Sequence, residues 1–493
     1  MRRSAQYRNK FQACKGFFTR ILIGKCDCAQ TITNVVLSRA DSASPPRTEE
    51  SLAPVGAFEE LFERSVAFAQ DDEVFDLLKT DSSTAARLGR LATGHGVVET
   101  PAFLPVGTQG SVKAVSPREL HELNAKIILG NAYHLYVRPG LEVIRHFGGL
   151  HRFMNWDGPI LTDSGGYQIF SLAKLRKLTP EGVHFQNHLD GTPTFISPER
   201  AMEIQAILGS DIAMVLDECA PYPCEYEYAA PSLELTIRWA QRCKQAADEE
   251  NAELRHTSRA AYPAPNTEQR SEDIVAAAVL SGSSQGSAAV TAAATTRQLV
   301  FGIVQGATFP DLRRESAEAT VQIGFDGYAI GGVSVGEPEG EMIGAVDASV
   351  PYLPQEKPRY AMGLGTPPQM LEMIARGIDL FDCVLPTRLA RNGTAFVSSG
   401  TLNLKNAEFT LDREPIEADC SCPTCREFTR GYIRHLVKAE EILGLRLITL
   451  HNLHFYLDLM RQARDAIKDG SFDSFRKDFV ANYRTRGSEN GTE

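Results

Sequence analysis

The chain has 493 residues, of which 43% are hydrophobic and 23% charged, and its formal net charge at pH 7 is -11. This composition is that of a soluble globular protein with at least one large core and two or more domains. The negative charge excludes a general attraction to phosphate, so nucleic-acid contact would require a local basic patch. No apolar run approaches the roughly 20 residues of a membrane span, and none is expected.

The first 40 residues are basic, with eight Lys or Arg side chains and one acid, Asp27. Such composition is typical of an organelle transit peptide, and equally of a disordered extension or a start codon placed too early. We treat residues 1–74 as an N-terminal extension, disordered or targeting. Ten scattered cysteines do not form a secreted disulfide framework, so a cytoplasmic protein is favoured, with mitochondrial or plastid targeting as the alternative.

Eight short apolar runs follow, and runs of this kind are typical of strands buried on both faces. In chain order they are "AFLPVGTQG" (102–110), "KIILGN" (126–131), "PILTDSGG" (159–166), "IAMVLDE" (212–218), "VFGIVQG" (300–306), "YAIGGVS" (328–334), "YAMGLG" (360–365) and "FDCVLP" (381–386).

Other elements are predicted between these runs. "VHFQNHLDGTPTFIS" (183–197) indicates a hairpin that turns at Asp190 and Gly191. Residues 197–210 indicate a helix that begins after Ser197 and ends at Gly209, and residues 366–378 a helix between Thr366 and Gly377. Residues 248–297, with "SGSSQGSAAVTAAATT", are predicted to be a disordered insertion in a surface loop.

Eight buried strands with intervening helices favour a (β/α)8 barrel, an α/β fold, over a doubly wound sheet. Six residues then fall at the C-terminal ends of strands, where barrel active sites are built, although any one alone would be only a cap or turn residue. They are Asn131, Asp163, Asp217, Gln305, Gly332 and Asp382.

"CSCPTC" places three thiols at metal-ligand spacing, Cys420, Cys422 and Cys425, and His451 follows. Three thiolates and an imidazole suit a closed tetrahedral zinc site, which would be structural because no position remains for water. A redox Cys-x-x-Cys pair is the alternative, and His454 is a rival ligand. Basic side chains surround the site and offer a docking surface for a phosphate backbone, namely Arg426, Arg430, Arg434, His435, Lys438 and Arg446.

"TDSGGYQIF" offers the components of a site for a flat ligand. Gly165 and Gly166 let the backbone approach such a ligand, and Tyr167 is placed to stack on it. Together with Asp217, Gln305 and a backbone N–H of the pair at 331–332, this stretch can read the edge of a guanine-like base. Taken singly, each of these residues is also explained by a structural role that involves no ligand.

"DLFDCVLPTRLARNG" (379–393) leaves three interpretations open, namely a cysteine nucleophile, an aspartate nucleophile, or a buried strand followed by a salt-bridged turn. Asp163 and Asp382 form the natural carboxylate pair, which suits retaining substitution at a sugar C1′. Strand alternation puts Asp382 and Cys383 on opposite faces, so Cys383 is expected to pack behind the carboxylate.

As a set, "LTDSGGYQIFSL", "VLDECAPYP", "FGIVQG", "AIGGVSVGEP", "FDCVLPTRLARNG" and "CSCPTC…H" resemble the tRNA-guanine transglycosylases, or queuine tRNA-ribosyltransferases, from about residue 75 to about 475. The resemblance implies a (β/α)8 barrel over residues 75–475, with a zinc-binding subdomain at about 400–455 and a tail at 476–493. It also implies exchange of guanine for a 7-deazaguanine at the wobble position of the tRNAs for Asp, Asn, His and Tyr.

The resemblance assigns roles residue by residue. Asp382 would be the nucleophile that holds the ribose covalently, and Asp163 the general acid/base. The base would be bound by Asp163, Ser164, Gly165, Gly166, Tyr167, Asp217, Gln305 and Gly332. The anticodon loop would be held by Gly363, Leu364, Gly365, Thr366, Pro367, Pro368, Gln369, Thr387, Arg388, Leu389, Ala390 and Arg391. One structural zinc ion would be bound by Cys420, Cys422, Cys425 and His451.

Cys219 and Val335 resemble the bacterial enzymes, which favours 7-aminomethyl-7-deazaguanine over queuine as the incoming base, whereas Val333 departs from the usual leucine. The family implies a homodimer, or a heterodimer with a non-catalytic paralogue. A non-catalytic tRNA-binding partner subunit would lack the two aspartates that this chain keeps. An archaeal-type enzyme would carry a further C-terminal domain, and a barrel glycoside hydrolase would leave the zinc motif and "TRLARNG" unexplained.

Overall fold

The computed structural model describes residues 74–172, 176–261 and 297–483. Residues 1–73 of the predicted extension, residues 262–296 of the predicted insertion and residues 484–493 of the predicted tail lie outside this range. In the described part, no helix has the length and apolar character needed to cross a bilayer.

The described residues form sixteen strands, half of which close into a barrel. The strands are Phe75–Thr80 (β1), Arg87–Thr93 (β2), Gly96–Thr100 (β3), Ala102–Gly107 (β4), Ile128–Asn131 (β5), Ile160–Asp163 (β6), Arg176–Thr179 (β7), Gly182–Gln186 (β8), Pro193–Ile196 (β9), Ile212–Met214 (β10), Leu299–Val304 (β11), Gly327–Ile330 (β12), Arg359–Ala361 (β13), Leu380–Cys383 (β14), Thr394–Val397 (β15) and Gly400–Asn403 (β16).

The helices of the described residues are Pro117–Glu122 (α1), Ala132–Val137 (α2), Leu141–Phe147 (α3), Leu150–Met154 (α4), Gly166–Leu172 (α5), Pro198–Leu208 (α6), Tyr226–Ala261 (α7), Pro310–Ile323 (α8), Glu339–Asp347 (α9), Pro367–Ile374 (α10), Leu385–Arg391 (α11), Pro423–Glu427 (α12), Arg430–Lys438 (α13), Ile442–Asp469 (α14) and Phe472–Asn482 (α15). Short 3-10 turns lie at Val350–Tyr352 and Ala407–Leu411.

The barrel is a closed ring of parallel strands in the order β4, β5, β6, β10, β11, β12, β13, β14. Ile212 of β10 pairs with Leu161 of β6, and Asp382 of β14 pairs with Leu104 of β4, which closes the ring. Each of the eight apolar runs overlaps one of these strands, and the strand residues are all buried. The prediction of a (β/α)8 barrel is therefore confirmed.

Smaller sheets surround the barrel. The predicted hairpin is confirmed as β8 and β9, with Gly191 at a positive φ of 75°, and β7 extends it to three strands. The antiparallel sheet β1–β2–β3 was not predicted. β15 and β16 pair after the last barrel strand.

The predicted helix boundaries are confirmed in part. Helix α6 is capped by the Ser197 hydroxyl, which accepts from the Arg200 N–H, and it ends at Gly209 with a left-handed φ of 69°. Helix α10 begins after Thr366 as predicted but ends at Ile374, so Gly377 lies beyond it.

Two helices extend past boundaries that were predicted from the sequence. Helix α7 runs through Ala261, so residues 248–261 are helical and the start of the irregular insertion was placed too early. Helix α15 runs from Phe472 to Asn482, and Tyr483 after it is buried, so the fold continues past the predicted boundary at 475. Helix α15 packs Phe475 and Phe479 against the barrel core, a contact that the polar composition of this segment obscured.

The described residues contain a second apolar core beside that of the barrel. It joins β15, α11, α12, α13 and the first turns of α14, and includes Phe409, Ile416, Ile433 and Ile448. This core coincides with the subdomain predicted at about 400–455. Helix α14 then continues along the barrel, where Tyr456 and Met460 belong to the larger core.

Charged contacts attach the β2–β3 hairpin to the N-terminal end of the barrel. Arg87 donates from Nε and Nη2 to the buried Asp379 carboxylate just before β14. In the turn after β2, His95 donates from its backbone N–H to Asp211 over 2.9 Å and its Nδ1 lies 2.8 Å from the same carboxylate. His151 Nε2 lies 3.2 Å from the other Asp211 oxygen, and the His95 and His151 rings stack at 3.6 Å.

Candidate active site

The C-terminal rim of the barrel gathers the polar residues that the sequence placed at strand ends. Asn131 and Asp163 are the last residues of β5 and β6 and pair in register. Asp382 lies in β14, Gln305 follows β11 directly, and Asp217 follows β10. Parallel strands bring all of these to one end of the barrel, so their predicted convergence is confirmed.

Asp382 is a buried carboxylate held by two donors. Its Oδ1 accepts from the Tyr360 hydroxyl over 2.5 Å and from the Gly363 N–H over 2.8 Å. Burial raises the pKa of Asp382, while the bonds from Tyr360 and Gly363 act in the opposite direction. These bonds fix the orientation of the carboxylate, and Oδ2 has no hydrogen-bond partner among the described residues.

Asp163 is also buried and accepts three hydrogen bonds. Oδ2 accepts from the amides of Asn131 and Gln168, the latter over 2.7 Å, and Oδ1 accepts from the Ala132 N–H over 3.0 Å. Burial raises the pKa of Asp163 to about 7, and the charge of Asp382 acts in the same direction. The carboxyl group is thus poised to give or take a proton near neutral pH.

A second set of polar groups lies beside this pair. Gln305 Nε2 donates to Asp217 Oδ2 over 2.6 Å, and burial raises the pKa of Asp217 to about 6. Ser164 also bonds to the Asp217 carboxylate. Gln305 Oε1 is buried and has no hydrogen-bond partner among the described residues. An acceptor carboxylate beside an unsatisfied amide suits the hydrogen-bonding edge of a purine.

The three predicted base-binding glycines have no room for a side chain. A Cβ on Gly166 would lie 2.9 Å from Asp217 Oδ1, and one on Gly332 would lie 2.3 Å from Gln305 Oε1. A Cβ on Gly165 would lie 2.8 Å from that of Tyr133, and Gly165 and Gly332 have positive φ. Next to them the Tyr167 side chain is 49% exposed, which leaves area for stacking.

The segments predicted to hold RNA are partly buried. In 363–369 the Leu364 side chain is fully buried, Gly365 contacts Cys383, and Gln369 caps α10 by accepting from the Thr366 N–H. Residues 387–391 belong to helix α11. Thr387 and Ala390 of this helix are buried, whereas Arg388 and Arg391 are exposed. Side-chain contact with RNA is therefore open to the two arginines but not to Leu364 or Ala390.

Cys383 packs behind the rim, as strand alternation predicts. Its side chain is buried, Sγ donates to the Gly365 carbonyl over 3.4 Å, and burial raises the thiol pKa far above its usual range. A protonated, enclosed thiol is a poor nucleophile. The cysteine-nucleophile interpretation is therefore disfavoured by the structure.

Cys420, Cys422, Cys425 and His451 form one cluster that could hold a metal ion. His451 Nδ1 lies 3.6, 3.6 and 3.3 Å from the three sulfur atoms in that order. A tetrahedral zinc ion would separate sulfur and nitrogen ligands by about 3.6 Å, so the donor set fits. His451 Nε2 donates to the Phe396 carbonyl over 2.6 Å, which leaves the Nδ1 lone pair for the metal. His454 Nδ1 approaches only Cys420, at 3.7 Å.

Two contacts in the site were not predicted from the sequence. Tyr360, at the middle of β13, reaches Asp382, and Gln168, in α5, reaches Asp163. Gln168 lies in "TDSGGYQIF", so its polarity beside Tyr167 was a usable signal. The sequence around Tyr360 contained no such signal, because a tyrosine in a buried strand usually packs without a polar partner in the site.

Comparisons with known proteins match most of the chain. The family described as "Queuine tRNA-ribosyltransferase" matches residues 81–485. A relative of the same name from Pelotomaculum thermopropionicum is 52% identical over 410 residues, which are 83% of this chain and 98% of the relative. Those from Symbiobacterium thermophilum and Halothermothrix orenii are each 48% identical, over 84% of this chain and 92% and 99% of their own lengths.

Proposed function

Because the chain belongs to the queuine tRNA-ribosyltransferase family, and is accordingly a tRNA-guanine transglycosylase and a pentosyltransferase, we propose that it exchanges a wobble guanine for a 7-deazaguanine. The proposed substrates are the tRNAs for Asp, Asn, His and Tyr, and the proposed incoming base is 7-aminomethyl-7-deazaguanine. The observation that carries this proposal is the pair of buried carboxylates on one rim, each held by a different set of donors.

The first half of the proposed reaction uses the two carboxylates in different protonation states. Asp382, ionised and oriented by Tyr360 and Gly363, attacks ribose C1′ as the bond from C1′ to the base breaks. The base leaves with the bonding electron pair and takes a proton from Asp163. The pKa of Asp163 near 7 supports this role, since part of its population is protonated at neutral pH.

The second half reverses these roles. Asp163, now ionised, removes a proton from the incoming base, whose nitrogen attacks C1′ and displaces Asp382. Two inversions at C1′ give net retention, as expected for a covalent double displacement. No proton or electron is left over, because Asp163 regains the proton that it lost.

The base would be read by the neighbouring polar groups. We assign the Asp217 carboxylate to the N1–H and 2-amino groups of the purine, and the Gly332 N–H and the second Nε2 hydrogen of Gln305 to its O6. Tyr167 would stack on the base. Cys219, buried beside Asp217, and Val335 support the bacterial choice of base. Direct use of queuine remains the alternative.

The metal cluster would carry a structural zinc ion. Cys420, Cys422, Cys425 and His451 would fill all four positions, so the ion would stabilise the second core and leave the chemistry to the carboxylates. Arg388 and Arg391 on α11 are proposed to contact phosphates or bases that flank the exchanged nucleotide. A homodimer is expected from the family, with a heterodimer with a non-catalytic paralogue as the alternative.

Incorporation of labelled guanine into tRNA-Tyr tests the assignment. We expect exchange by the wild type and a loss of at least about a thousandfold in Asp382→Asn, which keeps the side-chain shape. A covalent complex with tRNA on a denaturing gel should disappear in the same variant. No exchange by the wild type, or undiminished exchange by the variant, would rule the proposal out. Competition between queuine and 7-aminomethyl-7-deazaguanine decides between the two incoming bases.

A further inference from the structure

Arg313 is a buried cation next to the site that no role assigned so far uses. It lies in the first turns of α8 and its side chain is fully buried. No carboxylate lies within ion-pair distance of Arg313 among the described residues. Burial lowers its pKa to about 10, so the guanidinium remains charged at neutral pH. An unpaired buried charge lowers stability, so an apolar side chain would serve packing better here.

The guanidinium donates only to backbone carbonyls. Nε donates to Ala307 over 2.7 Å, and Nη1 donates to Val304 over 3.1 Å. Nη1 also donates to Gly331 over 2.7 Å, and Nη2 donates to Gly332 over 3.1 Å. One side chain therefore connects the loop after β11 to the loop after β12.

These two loops carry the groups that face the base. Gln305 lies between Val304 and Ala307, and its N–H donates to the hydroxyl of Ser316, also on α8. Within the described residues, nothing accepts a hydrogen bond from the Gly332 N–H, and Gln305 Oε1 is unpartnered and buried. An unused backbone donor beside a buried, unused acceptor indicates a ligand.

The carbonyl contacts determine where the Gly332 N–H points. In a trans peptide the C=O and the N–H point in opposite directions. Since the Gly331 carbonyl is directed at Arg313, the N–H of the same peptide is directed away from Arg313. The positive φ of Gly332, 61°, and the 2.3 Å distance from a Cβ there to Gln305 Oε1 hold this turn in one shape.

We propose that Arg313 is a positioning residue for base recognition, because its contacts with the Gly331 and Gly332 carbonyls aim the Gly332 N–H at O6 of the base. This inference rests on the proposed function, since that function supplies the purine. Arg313 does not touch the base itself. It acts by fixing one peptide plane and the neighbouring Gln305 loop.

Arg313→Lys tests the proposal by base selectivity. A lysine ammonium has three donors on a flexible stem and does not hold four carbonyls in one plane. 6-Thioguanine keeps the N1–H and the 2-amino group of guanine but replaces O6 with sulfur, a weaker acceptor. In labelled-guanine exchange we expect the KM for guanine to rise about tenfold, and the inhibition constant of 6-thioguanine to change less than about twofold.

Matched measurements separate positioning from general damage. Arg314→Lys changes the neighbouring, exposed arginine of α8 and should leave both constants unchanged. The KM for tRNA should also be unchanged in Arg313→Lys. If this variant fails to fold, Arg313→Gln provides a neutral amide donor at the same position, and the same two constants are compared.

Equal increases in both constants, or no change in either, would overturn the inference while leaving the proposed function intact. Absence of guanine exchange in the wild type would instead refute the proposed function. The two failures are therefore distinguishable in one set of assays.

Discussion

At the residue scale, the most informative property of the site is the different environment of its two aspartates. Asp163 accepts from two side-chain amides and a backbone N–H, whereas Asp382 accepts from a phenol and a backbone N–H. Neither carboxylate has a cationic partner in a salt bridge among the described residues, so burial raises the pKa of both. The proposed acid/base exchange depends on this arrangement.

The pH dependence of exchange should reflect Asp163. Its pKa is raised to about 7 by burial, and the proposed first step needs its protonated form. We expect single-turnover loss of guanine from tRNA to slow as pH rises through about 7, because the acid is then ionised. The rate is measured by quenching the covalent complex between pH 5.5 and 9. A rate that keeps rising to pH 9 would contradict the role of Asp163 as the acid.

Tyr360→Phe should shift the acid limb of the profile of exchange rate against pH. The Tyr360 hydroxyl stabilises the ionised form of Asp382, so its removal should raise the pKa of Asp382 further. Activity at low pH should fall, and activity at high pH should be less affected. The position of the acid limb is measured in both proteins. An unchanged limb with a uniformly lower rate would mean that Tyr360 only orients the carboxylate.

Cys383→Ala should leave the chemistry intact. The thiol is buried against Gly365 and faces away from the rim. We expect exchange activity within about twofold of the wild type and a loss of about 1–2 kcal/mol in the free energy of unfolding, from the cavity. Activity and urea unfolding are measured side by side, with Asp382→Asn as the inactive control. Complete loss of activity in folded Cys383→Ala would restore the cysteine-nucleophile interpretation.

At the element scale, strands and helix ends were predicted correctly where a single local pattern, such as an apolar run or a helix cap, determined them. Continuous apolar runs predicted all eight barrel strands, and Ser197 and Gly209 predicted the two ends of α6. Helix α7 was cut short in the prediction because its later turns are polar and charged. Gln168 and Tyr360 escaped prediction for a different reason. Their roles depend on tertiary contacts to Asp163 and Asp382 that no local periodicity encodes.

Metal removal should affect the second core before the barrel. Cys422→Ser removes one thiolate from the cluster, so we expect loss of bound zinc and a decrease of several kcal/mol in the stability of that core. Elemental analysis measures the bound zinc, and amide hydrogen exchange near Phe409 and Ile433 measures the stability of the core. Cys224→Ser, outside the cluster, is the control. Full zinc occupancy in Cys422→Ser would refute the proposed ligand set.

At the scale of the whole molecule, ion pairs hold the N-terminal end of the barrel, whereas neutral donors hold the two carboxylates Asp163 and Asp382 at the C-terminal rim. His95, His151 and Asp211 attach the β2–β3 hairpin to the start of β10 and β6. The hydrogen bond to Asp211 raises the pKa of His95, whereas the bonds from both histidines lower the pKa of Asp211 to about 2. Stability should therefore depend on pH through this cluster.

The sign of this dependence follows from the direction of each shift. The contribution of His95 is fully present below its unfolded pKa of about 6.5 and is lost as pH rises through its raised folded value. The contribution of Asp211 is present above about 3.9 and is lost as pH falls towards 2. We expect His95→Gln to lower the urea midpoint more at pH 5.5 than at pH 8.5. The exposed His146→Gln serves as control, and equal losses at both pH values would contradict the prediction.

Helix α14 has a consequence for how the molecule would respond to a shortage of metal. Its 28 residues extend about 42 Å. Within six residues it carries three side chains with different contacts. His451 belongs to the metal cluster, and Asn452 donates to the carbonyls of Pro386, in the first turn of α11, and of Thr394, at the start of β15. The Tyr456 hydroxyl donates to the Gly365 carbonyl behind Asp382. Loss of a metal ion from the cluster would therefore be expected to disturb the backbone behind Asp382 as well as the second core, because one helix carries residues that contact both.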